Sequence, residues 1–308
     1  MPTLKSRLAE LLCNGEFDLP MPGAGATASR HHALAQFGAT DLSLARLAEA
    51  HTDAIAILSE AGKTVRPETL YGVWASDAAP SRVTCERLSD DEWRIDGIKQ
   101  FCTGTGLVGA ALVTAHHADG VQLFDVPVDE NTVIAQPSQW KNPAFADTGT
   151  TAVQFQCAVV QARFRIGETG WYLSRPGFWH GSIGPAACWA GGARSLIEAT
   201  TRLARRDAHS RAQLGALQAT AWGLNAILEH AGREIDADPR DTTATARTRG
   251  LKVRHLVERA CTEVLDRFGR ATGPQLLAYD STVVRQHAAL TLYIRQCHAE
   301  RDLETIPE

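Results

Sequence analysis

The stretch that decides the fold is WRIDGIKQFCTGTG, residues 93 to 106. Its two halves, WRI and IKQFC, contain the β-branched and aromatic residues typical of strands, and Asp96-Gly97 between them is a strong signal for a hairpin turn. The second half ends in Thr103-Gly104-Thr105-Gly106, where hydroxyls alternate with glycines. We therefore predict a hairpin, followed by a loop that exposes hydroxyls and backbone amides without bulky side chains.

The regions around this stretch differ in pattern. Residues 66–165 contain short segments rich in Val, Ile, Thr and aromatic residues, separated by turn residues, which predicts an antiparallel barrel or sandwich. Residues 1–65 contain two segments with helical spacing, LKSRLAELL and the longer ATDLSLARLAEAHTDAIAILSEAG, and a Pro/Gly-rich loop between them. Residues 166–308 contain four long helical segments suited to an antiparallel bundle. We thus predict an α+β fold with a short helical domain, a β-domain and a four-helix bundle.

Composition narrows the function classes. The chain has 308 residues, 44% of them hydrophobic and 21% charged, with a formal net charge of −4. Such values are ordinary for a globular protein and favour neither a nucleic-acid nor a membrane partner. The seven cysteines are scattered without a metal-binding spacing, so we expect reduced thiols in a cytoplasmic protein and no metal.

Several of these strings resemble those of the acyl-CoA dehydrogenase family. The run from YGVWASDAAPSRV to IKQFCTGTG is similar to the start of that family's middle β-domain, RAQLG at 211–215 is similar to its R-x-Q-F-G motif, and FGRATG at 268–273 stands where the family has a glycine-rich turn. The resemblance covers about three quarters of the chain. It implies the same order of helices, β-domain and bundle, and a bound FAD.

The resemblance also implies site residues. Thr103 falls where a hydroxyl and the backbone face the N5 edge of the flavin, Phe101 falls where an aromatic residue backs the ring, and Cys102 lies between these two contacts. Arg211 falls where a guanidinium binds the FAD diphosphate across a subunit interface, and a planar cation suits that group. Homodimers, homotetramers or hetero-oligomers are therefore expected. The glycine-rich turn adds Gly269 and Gly273 as cofactor contacts.

The sequence departs from the family at the catalytic base. The family places a glutamate on the last helix or on the first bundle helix, and these positions fall at Ile294 and near Pro185, neither of which can accept a proton. The loop before the β-domain and the N-terminal domain also differ, the latter being short. The catalytic residues are therefore unknown at this stage. Ser76, Trp179 and His180 are candidates for a substrate pocket, although a structural histidine is the simpler interpretation of His180.

Three functions stay open. The first is an FAD-dependent oxidoreductase that removes two hydrogens from an acyl substrate, with CoA thioesters as one option. The second is a flavin monooxygenase on the same scaffold, which needs no such base. The third is a non-catalytic subunit that supplies cofactor-binding residues to a partner. Among other residues, we interpret Lys99 as a solvated strand lysine, Phe178 as a core residue, and Cys102, Cys157, Cys188 and Cys261 as buried thiols.

Overall fold

The computed structural model describes residues 3–203 and 207–306. The chain forms two compact units: unit 1 consists of Met1–Asp18 and Ala50–Phe178, and unit 2 consists of Leu19–Glu49 and Trp179–Glu308. The division into three consecutive segments, 1–65, 66–165 and 166–308, stays a prediction.

Unit 1 is built around one sheet. Helix α1 (Leu4–Cys13) begins at Thr3, whose hydroxyl accepts a hydrogen bond from the Ser6 amide, and the second half of α3 (Leu42–Glu60) also belongs to this unit. A short helix α4 (Trp171–Ser174) follows the sheet. The strands are β1 (Tyr71–Trp74), β2 (Val83–Arg87), β3 (Glu92–Cys102), β4 (Ala110–His117), β5 (Gly120–Pro127), β6 (Val133–Ala135), β7 (Thr151–Gln161) and β8 (Arg165–Ile166).

The predicted fold class is confirmed, but the strand directions need a correction. The strand order is β6-β7-β3-β2-β4-β5-β8, and β1 pairs with β4. Two of these pairings are parallel rather than antiparallel: Tyr71 of β1 lies opposite Ala110 of β4, and Thr84 of β2 lies opposite His116. Because β1 and β2 both run parallel to β4, the residues between them leave β4 and return to it in the same direction.

The predicted hairpin at Asp96-Gly97 is wrong. Strand β3 runs straight through both residues, with a register shift against β7 between Ile95 and Gly97. Gly97 has φ +118°, and a Cβ there would stand 2.2 Å from the Arg82 carbonyl oxygen, so the glycine serves a bulge. Strands β2 and β3 instead turn at residues 88–91, which include Ser89-Asp90-Asp91.

The core of unit 1 lies between the helices and one face of the sheet. Ile57 and Leu58 of α3 pack with Tyr71, Leu112 and other buried residues. Phe178 packs against the same cluster and meets the Tyr172 ring edge-on at 5.4 Å, so its interpretation as a core residue is confirmed.

Unit 2 is helical. Its short helices are α9 (Gln275–Tyr279) and α11 (Glu300–Glu304), and α5 (Pro176–Gly181) spans the boundary at its start. Its long helices are α2 (Thr27–Thr40), the first half of α3, α6 (Gly184–Leu203), α7 (Ala208–Ala237), α8 (Ala246–Thr272) and α10 (Ser281–Tyr293).

The helix predictions need two corrections. Helix α2 begins at Thr27, inside the predicted loop, where the Asp236 carboxylate accepts hydrogen bonds from its backbone amide and hydroxyl. The last long helix ends at Tyr293 rather than near Leu303, because a 3₁₀ turn and an extended residue, Cys297, follow it. Helices α2 and α6 pack closely, since a Cβ on Gly38 would stand 2.3 Å from the Cys188 carbonyl oxygen. Within the described residues, no helix is long and apolar enough to cross a membrane.

Candidate functional site

The loop after β3 is held by a buried tryptophan. The Trp74 indole Nε1 donates a hydrogen bond of 2.9 Å to the Thr103 carbonyl oxygen, and Trp74 itself is only 2% exposed. Just before this point, Phe101 adopts φ +58° within a second register shift of β3. The shift turns the Phe101 side chain outward, so it is 56% exposed. The strand therefore ends with a fixed backbone and an aromatic ring presented at the surface of unit 1.

Four threonines meet at this strand end, and we name Thr103, Thr105, Thr148 and Thr150 the threonine cradle. The Thr150 hydroxyl donates to the Thr103 hydroxyl at 3.1 Å, and the Thr148 and Thr150 hydroxyls are 2.9 Å apart. The Thr105 hydroxyl donates to the Cys102 carbonyl at 2.8 Å. These bonds fix the position of the Thr103 hydroxyl, which is half-buried.

A close backbone approach joins the two halves of the cradle. The Gly104 amide donates to the Thr148 carbonyl at 2.9 Å. Gly149 has φ +64°, and a Cβ on it would stand 2.3 Å from the Thr105 carbonyl oxygen. Residue 149 must therefore be glycine for the segment 148–150 to dock on the loop 103–106. Thr148 and Thr150 were missed in the sequence, although Thr148-Gly149-Thr150 repeats the Thr-Gly-Thr pattern of residues 103–105.

A cleft opens beside the cradle. It has a volume of about 210 Å³ and combines two aromatic side chains, three glutamine amides and one cradle hydroxyl. The Trp140 ring is fixed because its Nε1 donates to the Ala144 carbonyl at 2.8 Å. The lining residues are Gln100, Phe101, Gln136, Pro137, Gln139, Trp140, Thr150, Thr151 and Ala152.

The resemblance assigns three residues of the β-domain to a cofactor, and they lie next to one another at this strand end: Phe101, Cys102 and Thr103. Their side chains differ, because Cys102 is fully buried while Phe101 is exposed and Thr103 half-buried. Burial raises the pKa of the Cys102 thiol to about 12. Cys102 is fully buried and its carbonyl accepts the Thr105 hydroxyl, so a contact between Cys102 and a cofactor stays a prediction.

Lys99 is not the solvated lysine that we expected. It is 2% exposed, and its Nζ donates to the Asp77 carboxylate at 3.2 Å and to the Thr114 hydroxyl at 3.0 Å. Burial lowers the pKa of Lys99. The sequence could not reveal this because the partner carboxylate comes from the loop between β1 and β2, which only the parallel pairing brings back to β3.

The ion pair continues outward as a chain of hydrogen bonds. Arg82 donates to His116 Nδ1 at 2.8 Å, and because an arginine can only donate, His116 Nε2 carries the proton that it gives to Asp77 at 2.9 Å. Burial acts to raise the pKa of Asp77, but the Lys99 charge and the hydrogen bonds from Lys99 and His116 lower it overall. The adjoining Ser76, a candidate pocket residue, is exposed.

The predicted diphosphate-binding residues lie in unit 2. Arg211 is exposed near the start of α7. Gly269 and Gly273 lie in the last turn and at the end of α8, where a Cβ would meet no other atom within 4 Å. The two helices are linked near these positions because Arg267 donates to the Gln213 side chain at 3.0 Å. The structure thus places the RAQLG and glycine-rich motifs on adjacent helices.

Trp179 and His180 lie in unit 2 and contact other residues of that unit. His180 is 3% exposed, and its Nε2 bonds the Pro239 carbonyl at 3.1 Å. The Arg247 guanidinium lies over the Trp179 ring at 5.5 Å from its centroid. The burial of His180 favours a structural role. Neither residue lines the cleft described above, and their role in a substrate pocket stays a prediction.

The two positions that the resemblance assigns to a catalytic base are linked by an arginine. Arg254 of α8 donates to the Ser182 carbonyl at 2.8 Å and to the Gln296 carbonyl at 2.7 Å, so it joins the segment before Pro185 to the segment after Ile294. Ile294 is 1% exposed and Pro185 is apolar, so neither position provides a carboxylate.

A carboxylate from another helix lies in the same place. A Cβ on Gly184, next to Pro185, would stand 2.8 Å from the Glu49 Oε1 atom. Tyr293, next to Ile294, has a pKa raised well above its usual value by burial and by the charges of Cys188 and Glu49. Arg46 completes this group, with its guanidinium over the Tyr293 ring at 5.5 Å. Sequence reasoning missed Glu49 because it is contributed by α3, remote from both expected positions.

Comparison with known proteins identifies the fold. No protein-family model and no curated protein sequence matches the chain significantly. Among solved structures, TdsC from Paenibacillus sp. A11-2, in a complex with FMN and indole, matches with a TM-score of 0.80 and 17% identity over 98% of this chain and 94% of its own. Butyryl-CoA dehydrogenase from Megasphaera elsdenii matches with a TM-score of 0.80 and 13% identity over 98% and 88%. The chain has the acyl-CoA dehydrogenase fold.

A third structure, the FAD complex of PigA, matches with a TM-score of 0.81 and 15% identity over 98% of this chain and 88% of its own. At these identities the likeness concerns the fold and not the reaction. The acyl-CoA dehydrogenase fold thus confirms the predicted resemblance as a whole, while the roles of individual residues stay open to proposal.

Proposed function

We propose that the protein is a flavin-dependent oxidoreductase that binds FAD and removes two hydrogens from an acyl thioester. The observation that carries this proposal is the threonine cradle, because it stands at the strand end where the resemblance puts the polar edge of a flavin. A hydroxyl fixed by neighbouring hydroxyls, beside backbone amides, can bond the heteroatoms of that edge without reorganisation.

The residues present fit such a ring. Gly106 leaves open space where a Cβ would stand, so the loop offers backbone rather than side chain. Phe101 and Trp140 provide flat apolar surfaces in the adjoining cleft. At about 210 Å³, this cleft is smaller than the roughly 300–1,000 Å³ that encloses a drug-sized ligand, so it would cover one part of the cofactor.

The residues that the resemblance assigns to the diphosphate belong to unit 2. We propose that Arg211 binds the diphosphate and that Gly269 and Gly273 allow it to approach the backbone. Because the resemblance assigns Arg211 to the FAD of a neighbouring subunit, a homodimer or homotetramer follows from the proposal. A diphosphate contact would favour FAD over FMN. The seven free thiols fit a cytoplasmic location, which we also propose.

A bound flavin would accept a hydride from the substrate at its N5 edge. The chain's own contribution at this edge is to hold the Thr103 hydroxyl and backbone in place through Trp74 and Thr150. Fixed donors at the edge where charge develops stabilise that charge better than mobile water does.

A second candidate is a flavin monooxygenase. The observation that favours it is the absence of a carboxylate at Ile294 and Pro185, since reactions of reduced flavin with oxygen need no base for an α-proton. TdsC, which matches this fold, is described as a dibenzothiophene monooxygenase. The third candidate is a non-catalytic subunit, which predicts no turnover by the isolated protein.

Anaerobic mixing separates these proposals. Flavin-loaded protein is mixed with butyryl-CoA or octanoyl-CoA, and the visible flavin absorbance is followed. Bleaching by a thioester supports dehydrogenation. If neither thioester bleaches the flavin, but reduced flavin added in air-saturated buffer leads to substrate-dependent oxygen uptake, the monooxygenase proposal replaces it. Absence of both reactions favours the non-catalytic subunit.

A further inference from the structure

Arg249 lies on the buried face of α8, in the first turn of the helix. It is 8% exposed, and Ala246, Val253 and Val257, which follow the same face at helical spacing, are buried as well. The guanidinium therefore belongs to a stripe whose other three members are apolar. A buried charge in such surroundings is unfavourable unless an acceptor compensates it.

The protein does not supply an acceptor for one edge of this guanidinium. Nε and Nη2 of Arg249 are both buried, and neither has a hydrogen-bond partner in the described part of the chain. The other partly buried arginines of α8 differ, because Arg247 and Arg254 donate to backbone carbonyl groups at 2.6 and 2.8 Å and Arg267 donates to a glutamine side chain at 3.0 Å. Since the guanidinium of an arginine keeps its proton in proteins, Arg249 cannot avoid the burial of its charge by neutralisation.

The charges around Arg249 attract an anion. From Ala246 to Val257 the sequence contains four lysines and arginines and no acidic residue. Asp241, which precedes the helix, is engaged elsewhere, because the amides of Thr245 and Ala246 both donate to its carboxylate at 2.7 Å. The N-terminal end of the helix dipole adds further positive potential in the first turn. An anionic ligand is thus favoured at the start of α8.

We propose that Arg249 binds the carboxylate of a small apolar acid in unit 2. Nε and Nη2 form one edge of the guanidinium and present two parallel N–H groups, which match the two oxygens of a carboxylate. A phosphate has further charged oxygens that need additional donors. The Ser182 hydroxyl, which would lie 2.7 Å from a Cβ on the neighbouring Gly250, already donates to the Trp179 carbonyl. The apolar stripe and the Trp179 ring beside Gly250 suit an apolar ligand body.

This site is distinct from the residues of unit 2 that we propose for the cofactor diphosphate. Arg249 lies in the first turn of α8, whereas Gly269 lies in its last turn and Gly273 follows its end. A helix of 27 residues spans about 40 Å, so the two groups of residues are at opposite ends of α8. The inference therefore goes beyond the proposed flavin chemistry and does not rest on it.

The test is the binding of sodium benzoate and sodium butyrate to the full chain, measured by isothermal titration calorimetry and by the midpoint of thermal unfolding. Sodium chloride keeps the ionic strength constant, and sodium phosphate serves as an anion of different shape. The variants are Arg249→Met, which removes the charge, and Arg249→Lys, which keeps the charge but lacks the paired N–H groups. The matched control is Arg259→Met, which removes an exposed arginine of the same helix.

We expect benzoate or butyrate to bind wild type and Arg259→Met equally and to raise their unfolding midpoints, because a ligand of the folded state stabilises that state. Binding to Arg249→Met and to Arg249→Lys should be weaker by about tenfold or more, since neither variant offers the bidentate contact. Without a carboxylate, Arg249→Met should unfold at a higher temperature than wild type, because it no longer buries an uncompensated charge.

Equal carboxylate affinity of wild type and Arg249→Met would overturn the assignment, as would unchanged affinity in Arg249→Lys. Phosphate that binds through Arg249 more tightly than either carboxylate would show that the ligand class is wrong. The proposal also fails if neither carboxylate binds wild type. In that case, a change of oligomeric state in Arg249→Met, measured by analytical ultracentrifugation, would assign the missing acceptor to a second copy of the chain.

Discussion

For the buried ion pair between Lys99 and Asp77, we predict that removing the carboxylate costs more stability than removing the ammonium. The Lys99 side chain is 2% exposed, while that of Asp77 is 49% exposed. Changing Asp77 to Asn leaves the ammonium buried with a neutral acceptor and Thr114, and an uncompensated buried charge costs about 3–5 kcal/mol. Since the amide oxygen still accepts a hydrogen bond, we expect about 3 kcal/mol. Changing Lys99 to Met leaves a carboxylate that is half in water and still bonded to His116, so we expect about 1 kcal/mol or less.

Urea unfolding measures both changes. A loss of about 3 kcal/mol shifts the midpoint by about 1 M or more, since m is roughly 1–3 kcal/mol/M. The double variant Lys99→Met/Asp77→Asn should be about as stable as Lys99→Met alone, because Asn then has no buried charge beside it. If Lys99→Met proves the more destabilising of the two single changes, our account of this pair is wrong.

The ion pair between Lys99 and Asp77 also predicts how the stability of the folded protein depends on pH. The folded-state pKa of Asp77 is lowered: burial acts to raise it, but the Lys99 charge and the hydrogen bonds from Lys99 and His116 outweigh burial. Its contribution to stability is therefore fully present above the unfolded pKa of about 3.9, and is lost as the pH falls through the lower folded value. The stability difference between wild type and Asp77→Asn should be constant near neutrality and shrink on acidification below about pH 4.

Three further outcomes follow from the cradle and the thiols. Trp74→Phe removes the donor to the Thr103 carbonyl and should weaken flavin binding about tenfold in a fluorescence titration, whereas Trp93→Phe on the same sheet should not. Gly149→Ala should destabilise the protein by about 2 kcal/mol or more, while Ala at the unobstructed helical Gly215 should not; equal stability of the two would count against the tight loop contact. A thiol reagent should label two cysteines of the native protein rapidly, Cys13 and Cys157, and the five buried thiols only on unfolding; a single fast thiol would contradict the exposure of Cys157.

Cys157 also marks a limit of sequence reasoning, because we expected it to be buried and it is exposed. It lies opposite the bulge of β3, has φ +49°, and its amide donates to the Asp96 carboxylate at 3.0 Å. Because of the same bulge, Asp96-Gly97 forms an irregularity within one long strand rather than the hairpin turn that we predicted. A local pattern such as Asp-Gly shows that the backbone adopts a special conformation. Whether that conformation is a hairpin turn or a bulge depends on how the strand pairs with both of its neighbours.

The fold class and the strand end at Thr103 could be predicted, because both depend on short runs of adjacent residues. The residues that contact this strand end could not be predicted. Trp74 stands where the sequence suggested only a departure from the family pattern, and it becomes the donor that fixes Thr103. Glu49 reaches its place through the packing of α3 against α6, and no spacing in the sequence reports such a long-range contact.

The central claim is that the threonine cradle binds a flavin, and a visible absorption titration of the purified protein with FAD and with FMN tests it directly. We predict uptake of FAD with the shifted and structured absorption of a bound flavin, and weaker binding of FMN. Uptake should be reduced when Thr103 is changed to Val, which keeps the shape and removes the hydroxyl. A colourless protein that leaves the absorption of both flavins unchanged would contradict the account.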